Sequence, residues 1–225
     1  MFYLKDQEDC QDPLRIIGRA KGYSKKEILT TLPRHSKCNP QLLKELIKLP
    51  NFILRNSGTS FAKKITKMMK EVSLEAYRAK QFTRTEINHR GVLYGLVSLE
   101  HRVIDIILNY FHKRWPSCVI CLFNEKNCKT SIINEEGIIY ENDSSLEKTV
   151  QEIGSDRPIQ PYFEDIQISG DEIFKTLYES QNIDERINQR YFKSMVPNYC
   201  YKLPGMRKGV EKNFTPKNKK LDDFF

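Results

Sequence analysis

Residues 89–143 constrain the fold more tightly than any other part of the chain, because short apolar runs alternate there with polar turns around one helical repeat. Residues 91–97 are short, apolar and β-branched enough for a buried strand. Ser98 is placed to cap the next element, with Glu100 in a first turn where the helix dipole favours negative charge. Val103, Ile104, Ile107, Leu108, Tyr110, Phe111 and Trp115 then recur at helical spacing, and Pro116 stops the helix they predict. Residues 119–123, 130–133 and 137–140 read as three more strands, parted by polar turns at 124–127 and 134–136. The expected centre is strand–helix–strand plus a meander, a small, mostly antiparallel sheet with a long helix packed on it.

The remainder is helical in pattern. Ser24-Lys-Lys-Glu27 fits a capping box before Ile28 and Leu29, with Pro33 ending a short helix. Asn39-Pro40 is an N-cap followed by proline at the first helical position, and Leu42, Leu43, Leu46 and Ile47 follow as one face until Pro50. A third helix is predicted from near Ser60, with Phe61, Ile65, Met68, Met69 and Val72 as its apolar stripe. Residues 81–90 read as a polar linker. Ser144-Ser-Leu-Glu147 starts a short amphipathic helix, Pro158 and Pro161 mark an extended connector, and two C-terminal helices are expected from Ser169 and after Asp184. The expected class is therefore α+β in three parts: a basic helical region over 1–90, an α+β core over 91–204, and a flexible tail over 205–225.

Charge separates these parts more sharply than the overall +8 suggests. Residues 1–90 carry a net +10, residues 91–204 carry −5, and the tail carries +3. Such a distribution suits a polyanion, so DNA is the expected partner. Lys63, Lys67 and Lys70, at i, i+4, i+7 with Lys64 beside them, form the candidate phosphate-contacting row; a merely solvated face is the alternative. Arg84, Arg90, Arg114 and Arg186 are further candidates for DNA contact. No run approaches the roughly 18 apolar residues of a membrane span, and the charged first ten residues lack a signal-peptide core. A cytoplasmic, nucleoid-associated protein with mostly reduced cysteines is expected.

Leu93-Tyr94, Ser98-Leu-Glu100-His101 and Tyr110-Phe111-His-Lys-Arg114-Trp-Pro116 resemble, in order and spacing, the signature of a family grouped with DNA metabolism. Ile173-Phe174, Glu185-Arg186-Ile-Asn188, Met195-Val-Pro197-Asn-Tyr199 and Leu203-Pro204 resemble its closing pattern, so the likeness spans about residues 91–204. In bacteria these proteins stand beside a radical SAM protein with helix-hairpin-helix elements, and some are fused to uracil-DNA-glycosylase-like domains. The resemblance implies a DNA repair context, with a radical SAM protein as a partner by analogy, rather than a particular reaction.

The tail, Gly205 to Phe225, is basic and glycine- and proline-bearing, yet ends in Leu221, Phe224 and Phe225. Asn218-x-x-Leu221-x-x-Phe224-Phe225 resembles the short motif by which archaeal and eukaryotic proteins bind the sliding clamp (PCNA-like). One helical turn would set the three apolar side chains on one side as a plug, while the aspartates stay wet. A mobile tether of this kind raises local concentration without new contacts. Chance apolar residues at a terminus, or a segment folding back on the protein, are the alternatives.

For chemistry the chain offers little. Adjacent Glu100 and His101 are the candidate general acid–base pair or phosphate contact, which would make the protein a glycosylase-like or nuclease enzyme. Packing and capping alone would also explain them. Cys118, Cys121 and Cys128 offer three ligands for a metal-dependent regulator, but Cys118 and Cys121 differ in strand parity and should face opposite sides of the sheet. No phosphate-binding glycine loop, nucleotide fingerprint or catalytic triad pattern is present. Neither a cofactor nor a metal is expected.

Overall fold

The computed structural model describes residues 23–161, with Glu172, Thr176, Ser180, Arg190, Tyr191, Ser194, Val196 and Cys200 beyond them. Most residues of the expected C-terminal helices, together with Arg186 and the tail motif, lie outside the described residues.

The described residues begin with short helices whose ends are set by local chemistry. Helix α1 (Lys25–Thr31) starts at the Ser24–Glu27 capping box, both halves of which are present. A 3-10 turn (Leu32–Arg34) follows, with Pro33 in its first turn. Helix α2 (Pro40–Lys48) is capped by the Asn39 side chain, which accepts from the Leu42 N–H. Helix α3 (Asn51–Asn56) stops where Ser57 turns into the left-handed region at φ 47°. Sequence reading had no strong signal for α3, a six-residue helix opened by Pro50 without a side-chain cap. Helix α4 (Ser60–Phe82) is the long one, and Thr59 caps it by accepting from the Ala62 N–H.

Among the described residues, five strands form one mixed sheet in the order β1-β2-β3-β4-β5: β1 (Thr85–Ile87), β2 (Val92–Val97), β3 (Val119–Asn124), β4 (Lys129–Ile133) and β5 (Ile139–Asn142). Strands β2 and β3 are parallel, joined by helix α5 (Ile104–Arg114); the other three pairings are antiparallel. The protein is thus α+β with a mostly antiparallel sheet. Alternation along the strands decides what covers each face. Leu93, Val97, Ile120, Leu122 and Ile133 pack with Val72, Ala76 and Ala79 of α4 and Ile107, Leu108 and Phe111 of α5. Val92, Val119 and Cys121 face the other way, toward Leu146, Val150 and Ile153 of α6 (Leu146–Ser155). A separate core joins Tyr23, Ile28, Leu32, Leu42, Leu46 and Leu54 to Ile65, Met68 and Met69. Helix α4 therefore feeds both cores, its first half clamping the short helices and its second half the sheet.

Three expectations need correction. Helix α5 does not start at Ser98: Val103 holds its N-cap position and Asp105, not Glu100, is the acid of its first turn. Residues 98–103 form a loop because their backbone bonds elsewhere, as described below. The segment read as a polar linker contains the end of α4 and the edge strand β1, whose partly buried residues carry no strong apolar alternation. Ile47, read as part of α2's inner face, is 56% exposed; Leu42 and Leu46 alone of that set are buried.

Candidate functional site

Two features converge on the edge of the helical layer: a polar cluster and a basic face. The cluster is assembled by straps across distant segments. The Arg34 carbonyl accepts from the Arg102 N–H at 2.8 Å. Its guanidinium donates to the Arg102 carbonyl at 2.9 Å and, in a fork, to both Asp105 carboxylate oxygens at 2.6 and 2.8 Å. From α4, the Glu75 carboxylate accepts the N–H groups of Glu100 and His101, each at 2.8 Å. From the end of β3, the buried Asn124 amide accepts from the Leu99 N–H at 2.9 Å and donates to the Leu99 carbonyl. These bonds hold residues 98–103 out of the helix and bring His101 over His35, ring centroids 4.3 Å apart.

His35 is 3% exposed. Its Nε2 lies 2.9 Å from a Glu71 carboxylate oxygen, while its Nδ1 accepts from the Lys37 N–H at 3.0 Å. The acceptor role of Nδ1 puts the ring proton on Nε2, which donates to Glu71. That hydrogen bond holds the Glu71 carboxyl below the ordinary glutamate range. Burial pushes the His101 imidazole down, partly opposed by the Glu75 carboxylate. At neutral pH the cluster therefore sets an ionised carboxylate beside a neutral imidazole, a pairing suited to taking up a proton.

The ligand atoms of His35, Glu71 and His101 lie within 4.8 Å of one another, close enough to share an ion. The hydrogen bonding argues for another use. A metal on His35 Nε2 would require a proton on Nδ1, where the Lys37 N–H already points. The group is built as a hydrogen-bonded acid–base cluster. Cysteine ligation fares no better. Cys118 joins the core beneath α5 and Cys121 the core beneath α6, on opposite faces of the sheet, and Cys128 is exposed on a turn at φ 55°. Burial raises the Cys121 thiol to about 12, the opposite of what a thiolate ligand needs.

The basic face lies on α4. Lys63, Lys64, Lys67 and Lys70 are all exposed, and Lys67 reaches to 4.0 Å from Glu71, so the row ends at the cluster. The other candidate cations are dispersed. The Arg90 guanidinium turns inward, donating to the Gly154 and Arg157 carbonyls at the end of α6. Arg84 is partly buried and donates to the Gln81 carbonyl. It shares a groove with Arg114, whose guanidinium lies 5.1 Å from the Trp115 ring centre.

Of the two residues proposed for chemistry, His101 is in the cluster. Glu100 is exposed and acts on His101 only through its charge. Sequence reasoning missed His35, Glu71 and Glu75. The spacing of Glu71 and Glu75, one helical turn apart beside buried Val72 and Ala76, was the available signal. Nothing local to His35 announces its role.

Fold and site together define an α+β protein with a basic helix leading to a histidine–glutamate cluster. A family model described as a domain of unknown function (DUF4130) matches residues 34–203, well over half of the chain, and the chain belongs to that family. The match starts at Arg34, after α1, so it takes in α2, α3 and α4 as well as the sheet. No curated protein and no solved structure matches the chain. Among the described residues no helix is long and apolar enough to cross a membrane.

Proposed function

We propose that the protein is a DNA-binding protein of DNA metabolism or repair, holding the phosphate backbone along α4 and recruited to a sliding clamp through Leu221, Phe224 and Phe225, with Asn218 as the leading polar residue. The observation that carries the DNA reading is the placement of four lysines on the open face of a helix whose other side is buried in both cores. Reversing Lys63, Lys67 and Lys70 to glutamate should weaken duplex binding at least tenfold near physiological salt and reduce the slope of affinity against salt by about three phosphates' worth. An unchanged slope would reduce the row to solvated surface. Removing the last eight residues should abolish clamp capture and leave duplex affinity within twofold. Capture that survives the deletion would eliminate the tail motif. Association with a radical SAM protein rests on family analogy.

A second reading, an enzyme acting on damaged or modified DNA, is supported by the meeting of His101 with His35 and Glu71 at the end of the lysine row. The base is then Glu71 or His101, with Glu100 outside the reacting group. Activity on a panel of uracil-, hypoxanthine- and abasic-site duplexes should fall at least a hundredfold in His101→Ala. Because the His101 imidazole is held below 6.5, the acid limb of the rate profile should lie below that pH. A panel without turnover leaves the binding role alone standing.

A further inference from the structure

The end of α4, the start of β1 and the end of α5 enclose an open groove of about 590 Å³, lined by Lys80, Phe82, Arg84, Tyr110, Arg114 and Trp115 among others. Among the described residues that line it, three are cations, Lys80, Arg84 and Arg114, and none is a carboxylate. The aromatic residues are layered with those cations: the Lys80 ammonium lies 5.5 Å from the Tyr110 ring centre and the Arg114 guanidinium 5.1 Å from that of Trp115. Trp115 is in turn stacked on buried Phe111, centroids 5.8 Å apart and planes 16° from parallel, so its ring is braced from behind. The volume falls in the range of small-ligand sites, roughly 300–1,000 Å³.

Rigid aromatic rings interleaved with guanidinium and ammonium groups are what unpaired nucleotides require. Bases stack on aromatic faces or on the plane of an arginine, and phosphates meet the charges. A duplex offers no free base face to such a groove, since its bases are already stacked on one another. We propose that this groove binds unpaired nucleotides of a nucleic-acid strand, a base lying on the Arg114–Trp115 layer and its phosphates on Lys80 and Arg84. The proposal rests on the DNA-binding reading above and adds to it a site for unpaired strand, apart from the lysine row of α4.

Trp115 is the only tryptophan in the chain, so its emission reports on this groove alone. Titrating the full chain with a twelve-nucleotide oligothymidylate should quench that emission, in step with binding followed by anisotropy of the labelled strand. An abasic oligomer of equal length and charge, a blunt duplex and polyglutamate should each leave it largely unchanged. Arg114→Gln and Lys80→Gln alter groove side chains outside the buried cores, and together they should weaken oligothymidylate binding about tenfold while changing duplex binding less than twofold. Binding without quenching would overturn the groove and leave the lysine row intact. Equal quenching by the abasic strand or by polyglutamate would also overturn it, identifying a site for charge or for acidic peptide. Failure of both oligothymidylate and duplex to bind would remove the DNA reading with it.

Discussion

Gly95→Ala should destabilise the protein by about 2–3 kcal/mol and lower its midpoint of thermal unfolding by roughly 5–10 °C. An ideal Cβ at Gly95 would stand 2.6 Å from the Arg84 carbonyl oxygen, closer than any real contact. The obstacle is backbone, so no side chain can rotate away. Gly95 pairs with Thr85 across the β1–β2 ladder, and relief requires lifting β1 from the edge of the sheet. Because Arg84 and Thr85 also line the groove, the same change should impair oligothymidylate quenching of Trp115. Gly58 is the control: nothing lies within 4 Å of its Cβ position, and Gly58→Ala should stay within about 0.5 kcal/mol of wild type. Denaturant melts of the two variants decide the matter, and equal stabilities would show that the sheet edge yields freely.

Arg34→Ala should cost about 3 kcal/mol, because it strands Asp105 in a partly closed environment and removes the strap between two segments. The two side chains are 13% and 19% exposed, far from the open surface where an ion pair contributes little. The effect should reach the cluster. With the Arg34–Arg102 strap weakened, His101 gains access to water, and its depressed pKa should rise toward the ordinary 6.5. The chain has four histidines, so proton resonances can follow His101 individually. A loss below 1 kcal/mol, or an unmoved His101 titration, would show that Glu75 and Asn124 hold the loop unaided.

Much of the scaffold was legible in advance. The Ser24 box, the Asn39 cap, the start of α4 near Ser60, the strand–helix–strand order of β2, α5 and β3 and the β3–β5 meander all follow from local signals, whereas the parallel pairing of β2 with β3 emerged only in the fold. The opposite facing of Cys118 and Cys121 followed from strand parity. Helix α5 began later than its sequence suggested because Glu75 and Asn124, both distant along the chain, take the N–H groups of residues 99–101. Strand β1 escaped notice because an edge strand with partly buried residues shows no clean alternation.

Periodicity, capping and charge distribution by themselves determined the α+β class, the apolar stripe of α4 and the lysine row opposite it, since each depends on neighbours within one or two turns of backbone. Tertiary structure alone decided that His35 bonds Glu71, 36 positions away, and that residue 36 meets His101, 65 positions away. It likewise set Lys80, Arg84, Arg114 and Trp115 around one groove. Such meetings depend on how two hydrophobic cores seat their shared helix, and no local spacing encodes where a packed helix delivers the side chains along its rim.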